Sequence, residues 1–327
     1  MPYDSAMPTV SVSDVHAAQR RIAAYLRPTP VVPSRWLSEV SGAAVLLKLE
    51  SLQISSSFKS RGALNAALRL VEERGTGVTV VTASAGNHGR AIAWAAEQLG
   101  IKAIIFTPRT AAETKTRAIV AHGADLRAVA ANYEEAERLA QQHARDTGHA
   151  FVSPYSDRDV IAGAGTIGLE LLEQVPDLQA VLVPIGGGGL ISGVATAIKG
   201  LDARIEVIGV EVEASSAFAA ARAAGHIVEI DVGTTIADGL GGNVDPDTIT
   251  WPFVRDLVDR ILVVPEPALR EAVRTLLAED HLVAEGAGVA AIAAVASRLA
   301  GIEGRRAAAL LTGANIDLAR LRALLEE

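Results

Sequence analysis

Lys59 stands in "SSSFKSRGALNAA" (55–67), behind three serines and a phenylalanine and ahead of a run with helical period. Only 5 of the 30 basic residues are lysine, so most basic positions in the chain are arginine. A guanidinium keeps its proton in a protein, whereas a buried ammonium can lose it. Chemistry that needs a neutral amine as nucleophile or base can therefore use Lys59 where an arginine would fail. Taken alone, the residue also reads as a surface lysine near a helix start.

Four further stretches have residue types suited to chemistry. In "TASAGNHGRAIA" (82–93) a strand ends, a small-residue turn follows and a helix starts near Asn87. Such a turn, here Ser84, Ala85, Gly86, Asn87 and His88, exposes backbone N–H groups at a helix N-terminus, which suits a carboxylate. A helix-capping role would also explain Asn87. In "VPIGGGGLISGVATA" (183–197) a strand runs through Gly186, Gly187, Gly188 and Gly189 into a helix. Four glycines cost backbone entropy that a plain turn has no need to lose. Without side chains the backbone can approach a phosphate and aim several N–H groups at it, with the helix dipole behind them. The stretch lacks the GK[ST] ending of a nucleotide loop and the spaced GxGxxG of a dinucleotide site. The third stretch, "TTIADGLGGN" (234–243), is glycine-rich and would also serve as a surface connection. In the fourth, "LLTGANID" (310–317), strand residues end at Thr312 and a helix is expected from near Asp317. A hydroxyl at the carboxyl end of a central strand faces the crevice where open α/β sheets bind ligands, although it can also simply end a strand.

The elements that must position these groups follow from pattern. "AAVLLKLE" (43–50), "VTVVTAS" (78–84), "KAIIFTP" (102–108), "DLRAVA" (125–130), "AVLVPI" (180–185), "IEVIGVE" (205–211), "RILVVP" (260–265) and "AAALLTG" (307–313) read as strands. Segments of helical period separate them, among them 87–100, 113–123 and 133–148. Strands apolar throughout and divided by helices predict mainly parallel sheets covered on both faces. A length of 327 residues allows about two domains and a sizeable core. With 50% hydrophobic and 21% charged residues, disorder is excluded. No apolar run approaches the roughly 18 residues of a spanning helix. The first residues carry early acids and no apolar core, unlike a signal peptide. Cysteine is absent, which removes disulfides, thiol nucleophiles and thiolate metal sites. A net charge of −8 argues against a nucleic-acid footprint. A soluble cytoplasmic protein is the expectation.

Together these stretches resemble the fold-type-II family of pyridoxal-phosphate enzymes, and within it the serine/threonine dehydratase and serine racemase group. The resemblance runs from "AAQRRIAAYLRPTPVVPS" (17–34) to "GANIDLARL" (313–321), with "SSFKSRGA", "SAGNHG", "GGGGLISG" and "TGANID" in the family's order and spacing. It implies that Lys59 forms a Schiff base with pyridoxal phosphate, that Phe58 packs beside the ring and that Asn87 hydrogen-bonds its 3′ oxygen. It implies further that Gly186–Gly189 cradle the phosphate, that Gly239 lies beside the cofactor and that Thr312 meets the pyridine nitrogen, where relatives more often carry serine or cysteine. Ser84–His88 would hold the substrate carboxylate. A hydroxyl partner leaves the ring nitrogen unprotonated, which suits elimination better than transamination. The implied activity is that of a lyase. Lys59 takes the Cα proton of a β-hydroxy amino acid, the hydroxyl leaves, and a 2-oxo acid and ammonia result. The implied architecture is a two-domain α/β fold like that of tryptophan synthase β. Residues 1–81 and 158–327 would form the large domain and 82–157 a small mobile one, closing as a lid. A homodimer or higher homo-oligomer is also implied.

Two departures separate this chain from the racemases of the group. They carry a serine just before the Gly-Asn pair, where this chain has Ala85, and Ser84 is expected to point elsewhere. They also pair a Glu in a "GVE" strand end with an Asp six residues later, as cation ligands. Here Glu211 is present but the later position is Ala217, so no strong cation site of that kind is expected. Racemases and β-replacement enzymes of the same fold, and a cofactor-binding protein without catalysis, are the alternatives to a dehydratase. The side chain beyond Cβ is open among serine, threonine, hydroxyaspartate and phenylserine types.

Overall fold

The structure is a computed structural model that describes residues 10–326. The first nine residues, where part of the signal-peptide reading falls, lie outside the described residues. From the N-terminus the elements are α1 (Val12–Ile22), β1 (Val31–Pro33), α2 (Arg35–Ser41), β2 (Ala44–Leu49), α3 (Lys59–Arg74), β3 (Thr79–Ala83) and α4 (Asn87–Leu99). Then come β4 (Lys102–Pro108), α5 (Glu113–Val120), β5 (Asp125–Ala130), α6 (Tyr133–Thr147), β6 (Ala150–Phe151), α7 (Arg158–Gln174), β7 (Ala180–Pro184) and α8 (Gly189–Leu201). The rest is β8 (Glu206–Val212), α9 (Ala217–Ala224), α10 (Trp251–Leu257), β9 (Arg260–Val264), α11 (Glu266–Glu279), α12 (Ala290–Ala296), β10 (Arg306–Leu311) and α13 (Leu318–Glu326).

The strands form two sheets. One has six strands in the order β1-β2-β10-β7-β8-β9, and the other four in the order β5-β4-β3-β6. All neighbours are parallel except β1 and β2, which pair antiparallel from Val31↔Lys48 to Pro33↔Leu46. The fold is therefore α/β, as the uniformly apolar strands predict. In β7, Ala180 and Leu182 enter one core layer while Val181 and Val183 enter the opposite one, which is the period-2 alternation of a strand buried on both faces. In the four-stranded sheet, Val80 and Ile105 face α4 while Val81 and Phe106 pack with Ala136 and Ala140 of α6. This sheet starts at Thr79, so a domain boundary at 82 would cut through β3.

Local chemistry sets the helix ends. Ser11 and Asp14 close a capping box on α1, Asn132 caps α6, and Asp157 caps α7 by accepting from the N–H groups of Asp159 and Val160. The helices that deliver the site are held by close backbone approach and buried charge. Helices α7 and α8 cross so tightly that a Cβ on Gly193 would lie 2.2 Å from the carbonyl oxygen of Ile161. At the start of α3, Arg61 donates from Nε to Glu50 at 2.7 Å and from Nη1 to Glu170 of α7 at 2.6 Å. Lys48 of β2 donates to the other oxygen of Glu170 at 2.6 Å. All four side chains are buried, and each buried charge has an opposite partner, which is the condition for keeping charge inside a protein. Two positive and two negative groups thus fix the helix that begins at Lys59.

Candidate active site

Three strand ends point to one place. Ser84 follows β3, Gly186 lies just beyond β7 and Thr312 follows β10, all at the carboxyl ends of parallel strands, where open α/β sheets bind ligands. Between the two sheets lies a cavity of about 870 Å³. Every residue expected from the sequence to meet cofactor or substrate lines it: Phe58, Lys59, Ser84, Ala85, Gly86, Asn87, His88, Gly186, Gly187, Gly188, Gly189, Gly239 and Thr312.

Lys59 is the first residue of α3, and its Nζ donates to the carbonyl oxygen of Pro154 at 2.7 Å. The ammonium lies 5.0 Å from the centroid of the Phe58 ring. Among the described residues no carboxylate is paired with it, and burial pulls it down to about 8. The amine is therefore neutral in roughly a tenth of molecules at pH 7 and about half at pH 8, far more often than a solvated lysine, which favours its use as a base or nucleophile. His88 is also buried. Desolvation first, and the charge of Lys59 second, hold its ring well below the ordinary histidine value, hence neutral.

Helices α3, α4 and α8 start at this cavity, and none has a side-chain cap. Their first N–H groups are the natural partners of anions. At α8 the N-cap is Gly188, whose φ of +85° lies in the left-handed region that favours glycine. The neighbouring glycines answer to packing as well. A Cβ on Gly187 would lie 2.3 Å from Cγ of Tyr155, and one on Gly186 would lie 3.1 Å from the carbonyl oxygen of Gly239. The ring of Tyr155 thus lies against the glycine loop.

The capping alternative for Asn87 fails. Gly86 is the N-cap of α4, and the Asn87 side chain reaches across to the other sheet's elements. Its Nδ2 donates to Glu285 at 2.6 Å and its Oδ1 accepts from Asn315 at 2.7 Å. Ser84, expected to point elsewhere, belongs to the same wall as Ala85, and its hydroxyl oxygen accepts the N–H of Gly86 at 3.2 Å. The strand before Thr312 ends one residue earlier than expected, at Leu311, and the carbonyl of Thr312 accepts the N–H of Phe58 at 3.1 Å. Glu211 turns its two oxygens onto the backbone N–H groups of Phe218 and Ala219 at the start of α9, each at 2.8 Å.

Sequence reasoning missed Glu285, Tyr155 and Pro154, and quoted Asn315 without giving it a role. "AEGAG" (284–288) has the small residues of a tight approach, and "SPYSD" (153–157) the proline of a fixed turn, so both carried a signal. Missed too was a link between the two sheets' elements, in which Lys115 of α5 donates to Asp238 at 2.5 Å.

The family model for pyridoxal-phosphate dependent enzymes matches residues 22–313. The chain is 40% identical over 310 residues to an L-threonine ammonia-lyase of Thermotoga maritima, covering 94% of this chain and 76% of that one. It is 37% identical over 321 residues to the catabolic L-threonine dehydratase TdcB of Staphylococcus aureus, covering 97% and 92%. Among solved structures, that of maize serine racemase superposes with a TM-score of 0.90 at 34% identity, covering 97% of each chain.

Proposed function

This chain belongs to the family of pyridoxal-phosphate-dependent enzymes, and from that membership we propose that it is a dehydratase converting a β-hydroxy amino acid, L-threonine foremost, to a 2-oxo acid and ammonia. The donor set fits the cofactor. It combines an amine that sheds its proton near pH 8, a glycine loop before an uncapped helix start, an amide at Asn87 and a hydroxyl-bearing residue at Thr312, all in one cavity. Lys59 would hold the cofactor covalently, Phe58 would pack beside its ring, and Gly186–Gly189 would bind its phosphate through peptide N–H groups. Asn87, Thr312 and Gly239 would border the ring. When bound, pyridoxal phosphate supplies an electron sink for the charge left at Cα.

The chain's own residues do the rest. The turn Ser84–His88, at the uncapped start of α4, binds the substrate carboxylate and orients Cα toward Lys59. The neutral Lys59 amine removes the Cα proton. The observation that carries this reading is the partly buried Lys59 amine, with no carboxylate partner among the described residues, facing the same cavity as the Ala85 turn, since one base on one face serves elimination. Support for threonine comes from the names of the two relatives above. We infer that the four-stranded sheet, with its helices up to about residue 157, moves as a small unit over the remainder and closes the cavity. Serine as a second substrate, a cytoplasmic location and a homo-oligomeric state belong to the same proposal. The test is a 2-oxo-acid assay over a panel of β-hydroxy amino acids in both Cα configurations. Release of 2-oxobutanoate and ammonia from L-threonine is expected, and no 2-oxo acid from any member of the panel would overturn the proposal.

A further inference from the structure

The side-chain amide of Asn87 is tied at both ends, and a chain of obligatory donors fixes which end is which. Arg90 donates from Nη1 to Asn315 at 2.6 Å. A guanidinium has donors only, so the Asn315 atom it meets must be the oxygen. The NH2 group of Asn315 then faces the other way, donating to the carbonyl of Ser55 at 2.8 Å and to Oδ1 of Asn87 at 2.7 Å. The NH2 group of Asn87 in turn meets Oε1 of Glu285 at 2.6 Å. No rotation of either amide preserves these bonds. With Oδ1 and one N–H engaged, Asn87 keeps one N–H for a ligand in the cavity it lines. Glu285 has room for its part because residue 313 is glycine: a Cβ there would lie 2.1 Å from the same carboxylate oxygen.

We propose that Glu285 and Asn315 are positioning residues that lock Asn87 as a hydrogen-bond donor to an anionic oxygen of the cofactor. This rests on the reading of Asn87 as a cofactor contact. A free asparagine amide can turn and present its oxygen, which an anion repels. The lock removes that option. Lys115, Arg320 and Asp238 also face Glu285, and burial pushes its carboxyl up to about 7, so it is mainly ionised at pH 8.

The experiment is a double-mutant cycle at pH 8, read by the affinity for pyridoxal phosphate and by the absorbance maximum of the bound cofactor. It uses wild type, Asn87→Ala, Glu285→Ala and the double variant. Glu285→Ala is expected to weaken cofactor binding about tenfold, in line with the loss of a charge-assisted hydrogen bond, and to move the absorbance maximum. In the Asn87→Ala background the same change should cost less than about twofold. Glu285→Gln, which can still offer an oxygen to Asn87, should restore most of the affinity. Asn315→Ala runs the same cycle from the other end, and serves if Glu285→Ala does not fold. Equal losses in both backgrounds would show that Glu285 supports its own loop and would overturn the inference while leaving the cofactor site standing. Failure of the wild type to bind the cofactor would overturn the reading of the whole site.

Discussion

Lys59 and Pro154 meet where the two sheets' elements face each other, the amine of the first donating to the carbonyl oxygen of the second at 2.7 Å. The carbonyl gives the partly buried amine a partner without giving it a counter-charge. A carboxylate there would hold the proton on, whereas a neutral acceptor leaves burial free to pull the ammonium down to about 8.

The first prediction concerns that titration. In the cofactor-free protein, trace acetylation of Lys59 should follow a midpoint near pH 8, where a solvated lysine would follow one near 10.5. The sign is that of a depressed base, so the neutral, reactive fraction rises as pH passes upward through 8. A midpoint near 10.5 would contradict it.

Replacing Lys59 by alanine should abolish the visible absorbance of the bound cofactor and lower ammonia release by about 10³-fold or more. Borohydride reduction of the wild type should tag Lys59 alone. Lys48, fully buried and paired with Glu170, is the informative control, and label on it would reassign the site.

The glycine loop should report on packing and cofactor together. Gly187→Ala drives a methyl into the Tyr155 ring and should cost about 1–3 kcal/mol of stability in the cofactor-free protein, besides weakening cofactor binding. Adding Tyr155→Ala should recover the stability in thermal melts. Stability unchanged by Gly187→Ala would mean that the ring moves aside freely.

Ala85 leaves one face of Cα without a proton donor on the reading above. The wild type should eliminate from L-threonine or L-serine and form very little of the opposite Cα epimer, despite the likeness to maize serine racemase. Ala85→Ser should raise epimer formation, measured by chiral chromatography with 2-oxo acid assayed in the same tubes. A wild-type epimer rate near the elimination rate would reveal a second acid/base, and Ser84, in the same wall, would be the first residue to test.

Arg61→Met should destabilise the protein by about 3–5 kcal/mol, because it strands Glu50 and half of the Glu170 pairing in the interior. Urea denaturation of the cofactor-free variant checks this. A loss below about 1 kcal/mol would mean that water reaches the carboxylates.

The legible parts of this molecule are those written in one stretch of chain. Lys59, Ser84–His88 and Gly186–Gly189 each sit at a turn leading into a helix, whose signal is local, and the uniformly apolar strands divided by helices point to parallel sheets. Glu285 was not legible because its partner Asn87 lies 198 positions away. Tyr155 was missed because its effect is felt through the missing side chain of Gly187. Strands β1 and β6, of three and two residues, are too short to show any period. Asn87 invited a capping interpretation because asparagine caps many helices, and only tertiary contacts divert its amide elsewhere.

The buried set of Lys48, Glu50, Arg61 and Glu170 restricts how this sequence can drift. Each member balances another, so a neutral replacement at one position leaves an uncompensated charge, and a charge reversal leaves two. Surface arginines can wander to lysine or glutamine one step at a time. A change at any of these four that removes its charge passes through a strongly destabilised intermediate unless a second substitution compensates it. The helix that starts at Lys59 is thus held in place across generations by four residues that line no part of the cavity.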